Sequence, residues 1–376
     1  MEAKFIAATV LAMTSSYAAA QSVTLYGVVD AGVEYVSHAG PGGKSLIRMP
    51  ANTGELPSRW GIRGDEDLGG GMHAIFTLEN GFNVRAGDLN QGGRLFGRQA
   101  WVGISGPFGA VTLGRQYTML YWAMVDADII GPDLYSAGSF DNYIPNARSD
   151  NTIAYKGTFR GLTVGATYSF GRDSAGTGNS PGQGTCVGSV PGMASACREW
   201  SAMVKYDTEW FGVAAAYDEQ RGGAGAAASF FDGAAPIPLT DPADKDARVQ
   251  LNGYTKLGKL RLGGGWIGRR VVTNNATSPD ARSNLFFVGA SYQLTPFVLL
   301  DGEAYRIVNA QQDSRGTLGT LRCTYLLSKR TAVYAQTAYL ENSAHAQYAI
   351  SLGGPGATPP AGKSQLGVNI GIRHFF

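Results

Sequence analysis

The sequence contains little charge, few cysteines and no long apolar run after its first residues. Charged side chains make up 16% of the 376 residues, against about a quarter in an average globular protein. The net charge is +2, and no Lys/Arg-rich run of the kind that binds nucleic acid is present. Beyond residue 20, no stretch approaches the ~20 apolar residues that a membrane-spanning helix needs. We therefore expect neither a nucleic-acid partner nor a transmembrane helix.

Catalytic and metal-binding motifs are also missing. The chain has only four histidines, and none lies in an HExxH zinc motif. There is no GxSxG nucleophile elbow, no phosphate-binding P-loop and no CxxC pair. Gly69-Gly70-Gly71 follows an acidic run and is typical of a turn. We expect no enzyme activity, no metal and no cofactor.

The three cysteines permit one disulfide. Cys186 and Cys197 share a segment rich in Gly, Ser and Pro, and they could be bridged in an oxidising compartment. Their spacing allows a bridge without requiring one. Cys323 lies in an alternating segment and would be a lone thiol.

The N-terminus is typical of a secretory signal peptide. Lys4 precedes the apolar stretch 5–13, and small residues lead to Ala18-Ala19-Ala20 before Gln21. A charged start, a short apolar region and an A-x-A cleavage site form the signal-peptide pattern. We expect residues 1–20 to be removed and residues 21–376 to form the mature protein. A short buried helix is the alternative.

Glycine, aromatic residues and a period-two pattern dominate the rest of the chain. It has 53 Gly, 18 Tyr and 16 Phe, a composition that suits the turns and aromatic girdles of an all-β protein. Apolar and polar side chains alternate along most segments, which indicates strands with two different faces. The first and last strands have apolar faces at Val23, Leu25, Val29, Val33 and Tyr35, and at Leu366, Val368, Ile370, Ile372 and Phe376.

Three features favour a membrane barrel over a soluble sandwich. The predicted strands are roughly 8–14 residues long, whereas strands in globular sheets average about 5–6 and a tilted bilayer-crossing strand needs about 9–11. Many apolar faces end in Tyr, Phe or Trp, as in membrane-interface belts. Short and long connections alternate, as in outer-membrane barrels.

The pattern predicts a 16-stranded antiparallel transmembrane β-barrel, wide enough for an aqueous lumen. The long segment 118–147, which is the third long connection, does not alternate cleanly and could fold into the lumen and narrow it. The approximate first residues of the sixteen strands are 22, 57, 72, 97, 110, 149, 162, 199, 211, 247, 259, 284, 297, 315, 331 and 363.

A series of motifs spans nearly the whole mature chain. It begins with Gln21-Ser22-Val23-Thr24-Leu25-Tyr26-Gly27 and ends with Gly371-Ile372-Arg373-His374-Phe375-Phe376. Between these lie Ser58-Arg59-Trp60-Gly61-Ile62-Arg63-Gly64, Arg94–Gly103, Leu113–Tyr117 and Arg148–Tyr155. In content and order, these motifs resemble those of the Gram-negative general porins, especially the β-proteobacterial type.

This resemblance implies a homotrimer of sixteen-stranded barrels in the bacterial outer membrane, with the third external loop folded inward. It also implies a terminal residue, Phe376, that the barrel-insertion machinery reads. The other expected partners are outer-membrane lipid, lipopolysaccharide and small hydrophilic solutes. The third loop of the family usually carries an acidic motif, and here only Gly131-Pro132-Asp133-Leu134 corresponds to it.

The predicted basic wall of the pore consists of Arg59, Arg98 and Arg148, with Arg63 in second rank. Arg59, Arg63 and Arg148 alternate with apolar neighbours and should face the lumen. The parity of Arg98 is ambiguous, and the resemblance supports its inclusion. Ordinary strand-end arginines are the alternative interpretation. Arg115 lies on the same face of its strand as the apolar residues Val111 and Leu113. This parity argues against a position in the lumen, unless the strand breaks there.

The predicted acidic side consists of Asp126, Asp128 and Asp133 on the third loop, with Asp141 a weaker candidate. Charged rings of one sign select ions of the other. With several arginines against a short arc of aspartates, we expect a weak preference for anions.

Three functions remain open. The favoured one is an outer-membrane porin for passive diffusion of ions and small hydrophilic solutes. The alternative is a substrate-selective porin for organic anions, phosphate or sugars, which Tyr117, Tyr121 and Trp122 near the third loop keep open. A structural or adhesion barrel, or a soluble all-β binding protein, is the third.

Overall fold

The chain forms one closed antiparallel β-barrel. The structure, a computed structural model, describes residues 22–51, 54–173, 184–274 and 280–376, so the predicted signal segment lies outside the described residues. Successive strands are neighbours in a 17-stranded sheet. β1 pairs with β19 on one edge and with β2 and β3 on the other, which closes the sheet. Because β2 and β3 lie end to end against β1, the wall has sixteen strand positions, and the prediction of a 16-stranded barrel is confirmed.

The elements occur in the following order along the chain. The wall strands and one loop hairpin are β1 (Ser22–Ala39), β2 (Lys44–Arg48), β3 (Arg59–Gly69), β4 (Met72–Gly81), β5 (Gln99–Gly106), β6 (Gly109–Tyr117), β7 (Arg148–Phe159), β8 (Leu162–Ser169), β9 (Glu199–Asp207), β10 (Phe211–Arg221), β11 (Ala227–Ala228), β12 (Ile237–Pro238), β13 (Lys245–Leu257), β14 (Leu260–Val272), β15 (Ala281–Thr295), β16 (Val298–Asn309), β17 (Ser314–Leu326), β18 (Thr331–Asn342) and β19 (Gln365–Phe375). A short α-helix spans Met119–Met124, and 3₁₀ turns span Ala137–Ser139, Ile144–Asn146 and Ala310–Gln312. No helix among the described residues is long and apolar enough to cross a bilayer.

The two faces of the wall follow the alternation in the sequence. On β19, Ile370 is 63% exposed on the outside of the barrel, whereas its neighbour Asn369 is fully buried on the inside. On β1, Val33 is exposed and Glu34 is buried. The predicted apolar faces of these strands therefore point outward, and the polar faces point into the enclosed space. This arrangement is the reverse of a soluble core and suits a hydrocarbon surround.

The second strand position departs from the sequence prediction. The segment 37–56 was expected to be one long connection, but β1 continues to Ala39 and pairs with β2 after a tight turn. The chain then leaves the wall and enters the lumen. There Asp30 of β1 accepts hydrogen bonds from the backbone amides of Glu55 and Leu56, at 3.0 and 2.8 Å. A carboxylate that captures two free amides stabilises this excursion.

The third loop, residues 118–147, lies inside the barrel. Leu134, Tyr135 and Phe140 are fully buried and belong to the main apolar cluster of the protein. Phe140 contacts Tyr348 edge to face, with ring centroids 5.1 Å apart. The inward-folded loop was predicted. Its apolar side chains form a core against the opposite side of the barrel, strands β13 to β18, called the far wall below.

Cys186 and Cys197 form a disulfide in the long connection between β8 and β9, with Cα atoms 5.1 Å apart. Gly223 lies against the bridge, and a Cβ at this position would lie 2.5 Å from the Cys197 sulfur. Cys323 is a free, exposed thiol on the outer face of β17.

The C-terminal residue completes the closing seam. The backbone of Phe376 exchanges hydrogen bonds with Gly27 on β1, at 3.2 and 3.1 Å. Gly27 fits this close approach, because a Cβ would lie 2.7 Å from the backbone carbonyl oxygen of Arg59 and 2.4 Å from the Phe376 ring. The role of Phe376 as an assembly signal stays a prediction.

Candidate pore constriction

Arg59, Arg98 and Arg148 meet around one tyrosine and one carboxylate. Arg98 and Arg148 donate to the hydroxyl oxygen of Tyr117, at 2.8 and 2.6 Å. The guanidinium of Arg148 also lies 4.3 Å from the Tyr117 ring centroid. Glu79 accepts a hydrogen bond from Arg98 at 2.7 Å and pairs with Arg59 at 3.7 Å. These five residues, called the basic cluster below, hold three guanidinium groups and one carboxylate.

Strand ends determine where these arginines point. Arg59 and Arg148 are the first residues of β3 and β7. Arg98 precedes β5, and its amide donates to the Glu79 carbonyl oxygen at 3.1 Å. Because Arg98 lies outside the regular strand, its side chain turns inward although it shares parity with outward-facing Val102. This position explains the ambiguous parity of Arg98 in the sequence.

Arg115 also turns inward, so the parity argument against it was wrong. The register of β6 against β7 shifts between Gly114 and Gln116, and Gly114 has a φ of +131°. The irregularity reverses the facing of the next side chain. Arg115 is buried, donates to the Gly97 carbonyl oxygen at 2.7 Å and pairs with Asp150.

Arg63 lies apart from the basic cluster, at an open part of the lumen. It is exposed, and its guanidinium lies 5.6 Å from the Tyr26 ring centroid. Both residues line a space of about 420 Å³, called the chamber below. It lies between the third loop and the strands β3 to β7, which are called the near wall below. Lys156 is the second cation of the chamber, with its amine 3.6 Å from the Trp122 ring centroid. No carboxylate is found among the described residues that line it.

The side of the third loop that meets the basic cluster is aromatic. Tyr121 stacks on Tyr117 with ring centroids 3.8 Å apart, and Trp122 meets Tyr121 edge to face at 5.4 Å. Burial raises the pKa of the Tyr121 hydroxyl above its ordinary value, so Tyr121 stays neutral at physiological pH. The loop therefore offers neutral rings to the arginines.

The predicted acidic residues attach the third loop to the far wall. Asp133 accepts a hydrogen bond from Arg322 of β17 at 2.9 Å, and burial raises the pKa of this carboxyl group to about 7. Asp128 accepts a hydrogen bond from the Tyr305 hydroxyl group on β16 at 3.1 Å. Burial raises the pKa of Asp128 as well.

Asp126 and Asp141 make similar contacts. Asp126 pairs with Lys205 of β9, and Asp141 accepts a hydrogen bond from Arg248 of β13 at 2.8 Å. Among the ion pairs of the described residues, none joins a third-loop aspartate to the basic cluster. The structure brings the predicted arginines together, but it does not place the predicted aspartates against them.

Sequence reasoning missed two charged residues of the near wall, Glu79 and Lys156, and it missed Arg322, the cation that pairs with Asp133. Glu79 is an acidic residue on the polar face of β4, and Lys156 is a basic one within β7. Charge on the inward face of a strand could have indicated both. Arg322 alternates with apolar Leu321 and Cys323 in the same way, but its partner Asp133 is 189 residues away, which no local pattern reveals.

Replacing Arg322 tests how the third loop is held. Arg322 donates to both Asp133 and Asp301, so Arg322→Gln leaves two buried carboxylates without their shared cation. We expect the free energy of unfolding to fall by about 3–5 kcal/mol, measured by urea titration of the refolded barrel in detergent. The double variant R322Q/D133N should recover part of the loss, because it removes one of the two buried carboxyl groups that have lost their shared cation. Equal stability of wild type and Arg322→Gln would contradict this role.

Comparisons with known proteins agree with this architecture. A family model described as Gram-negative porin matches residues 7–345. The chain is 30% identical to outer membrane porin protein 32 of Delftia acidovorans over 399 aligned residues, covering 100% of both chains. It is 29% identical to an outer membrane porin protein of Bordetella pertussis, again over 100% of both.

A solved structure, the anion-selective porin from Comamonas acidovorans, superposes with a TM-score of 0.76 at 27% identity. The match covers 95% of this chain and 100% of that one. The chain therefore belongs to the Gram-negative porin family, and it is an outer-membrane β-barrel channel for small solutes.

Proposed function

We propose that the channel is a general diffusion porin with a weak preference for anions. The observation that carries this proposal is the charge of the near wall. The chamber is lined by the cations Arg63 and Lys156 and, among the described residues, by no carboxylate. Beside it, the basic cluster joins three guanidinium groups to one carboxylate, Glu79; Arg98 and Arg148 are buried, and Arg59 is the most exposed of the three. Fixed cations in a low-dielectric pore attract anions to its narrow part.

The contacts of the third loop also support a preference for anions over cations. Asp133 and Asp141 are buried, and each is paired with an arginine of the far wall. Their charge is used within the protein and is not offered to solutes. Asp126 is partly exposed, at 39% of its side chain, and weakens the preference. The similar Comamonas protein is described as anion-selective, which is consistent with the proposal.

One observation favours the substrate-selective alternative. The Lys156 amine lies over one face of the Trp122 ring at the chamber, so that an organic anion would meet a cation next to an aromatic surface. Under general diffusion, benzoate should not block single-channel current at concentrations where acetate does not. A benzoate block that Lys156→Gln relieves would favour the selective channel instead.

We also propose that the chain assembles as a homotrimer, as the family resemblance implies. β5 and β6 have 8 and 9 residues, at or below the ~9–11 that a tilted strand needs to cross a bilayer. Their outward side chains include Val102, Ile104 and Leu113, all strongly exposed in the single chain. A neighbouring copy of the chain would cover this part of the wall, where the strands are short and the outward side chains are aliphatic.

Mass measurement of the detergent-solubilised protein tests the trimer. Val102→Arg should convert trimers to monomers, because it places a charge in the proposed contact. Val249→Arg on β13, a strand of 13 residues, is the control, since Val249 also faces outward and is 41% exposed against 57% for Val102. Trimers that persist in Val102→Arg, or an equal loss in both variants, would contradict this contact.

Reversal potentials in a salt gradient test the anion preference. Replacing Arg59, Arg98 and Arg148 by Gln, singly, should lower the chloride-to-potassium permeability ratio on the order of twofold each, because each removes a fixed cation near the narrow part. Glu79→Gln should raise the ratio, since it removes the one carboxylate of the basic cluster. Arg330→Gln, in an exposed turn between β17 and β18, is the control and should have no effect. Unchanged ratios in all three arginine variants would refute the assignment.

A further inference from the structure

Two of the three arginines in the basic cluster are out of reach of solutes in the lumen. Arg98 and Arg148 are 6% and 2% exposed, whereas the side chain of Arg59 is 24% exposed. Arg98 and Arg148 both donate to the Tyr117 hydroxyl oxygen, so part of their hydrogen-bonding capacity is used within the protein. An anion in the pore can therefore touch Arg59, but Arg98 and Arg148 act on it only through their electric field.

Tyr121 of the third loop contacts both the basic cluster and open space. Its ring is stacked on the Tyr117 ring, with centroids 3.8 Å apart and planes 17° from parallel. All three arginines of the cluster are close enough to the Tyr121 hydroxyl group to act on its charge. Tyr121 also lines a small open pocket of the third loop, together with Val125, Pro132 and Pro145. The ring therefore forms a neutral cover over the cluster.

The third loop holds this cover independently of the arginines. Tyr121 belongs to the helix Met119–Met124, which packs against strands β9 and β10. The amide of Met119 donates to the Ser201 hydroxyl oxygen at 2.9 Å, and Leu120 is fully buried in a small apolar cluster of the loop. Because these contacts do not involve the Tyr121 side chain, a smaller residue at this position should leave the helix in place.

Contact and field have different consequences for a passing anion. A guanidinium group that touches an oxyanion forms two parallel, charge-assisted hydrogen bonds, which hold the anion at one point. At a distance, the same charge lowers the energy of the anion without fixing its position. Conduction requires that anions enter easily and also leave easily. Two buried arginines beside one partly exposed arginine meet both requirements.

We propose that Tyr121 is a specificity-determining residue of the pore, because it keeps Arg98 and Arg148 out of contact with passing anions. The basic cluster then attracts anions by its field and does not retain them. Oxyanions such as phosphate are the class most affected, since two adjacent guanidinium groups can bind their oxygen atoms together. This inference rests on the proposed anion preference and gives a physical reason for its weakness.

Block of the single-channel chloride current by inorganic phosphate tests the cover. Tyr121→Ala should lower the half-blocking phosphate concentration about tenfold or more, because phosphate then forms hydrogen bonds with charged Arg98 and Arg148. The double variant Y121A/R148Q should lose most of this gain, which separates contact with Arg148 from a general widening of the pore. Val125→Ala, which trims an exposed side chain of the same loop and pocket, is the matched control and should respond as wild type does. A wild-type response of Y121A, or an equal gain in Val125→Ala, would overturn the proposal.

A comparison that leaves Tyr121 in place gives a second test. Arg148→Gln should lower the chloride-to-potassium permeability ratio but change the half-blocking phosphate concentration by about twofold at most, since only the field of Arg148 is lost. A loss of phosphate block of about tenfold in Arg148→Gln would show direct contact and overturn the cover, whether or not Y121A forms channels. Cation preference of the wild-type channel would contradict the proposed function. An anion-preferring wild type whose phosphate block is unchanged in Y121A would contradict this inference alone.

Discussion

Every backbone N–H and C=O group within the hydrocarbon layer must find a partner in the protein itself, because lipid supplies none. The closing seam between β1 and β19 meets this constraint, since an open sheet would leave two unpaired edges in the membrane. Closure of the sheet also determines which side chains face lipid and which face the lumen. Alternate side chains face lipid or the enclosed space, so within the hydrocarbon layer the apolar residues lie outside and the charged residues face the interior.

Confinement of charge to the interior explains why the third loop is held by ion pairs. The third loop is held both by packing, through Phe140 and its neighbours, and by charge. Asp133 and Asp141 supply the remaining attachment by pairing with Arg322 and Arg248. Because Asp133 and Asp141 pair on the far wall, Glu79 is the carboxylate that pairs with Arg59 and Arg98 on the near wall. The charge asymmetry of the pore thus follows from how the loop is attached.

Alternation was enough to predict the strands, their faces and the inward position of Arg59 and Arg148, because period two is a local property of the chain. It failed where the strands are irregular. Arg98 lies just before a strand, and Arg115 follows the register shift at Gly114, so parity counted along the sequence does not apply to either. The short strand β2 was also missed, because it lies within the segment 37–56 that was predicted as one long connection.

The acidic side of the pore could not be predicted from the sequence, for a different reason. An aspartate in a loop can pair with any cation that the closed barrel brings near it, and the partner of Asp133 is in β17. Alternation indicates which arginines of β13 to β17 face inward, but only the register of the whole sheet decides which of them lies opposite a given loop carboxylate. On β17 the two outcomes lie seven residues apart: Arg322 is buried against the loop, whereas Arg315 is exposed on the outer surface. An odd separation along one strand therefore places one arginine against the loop and the other on the outer surface of the barrel.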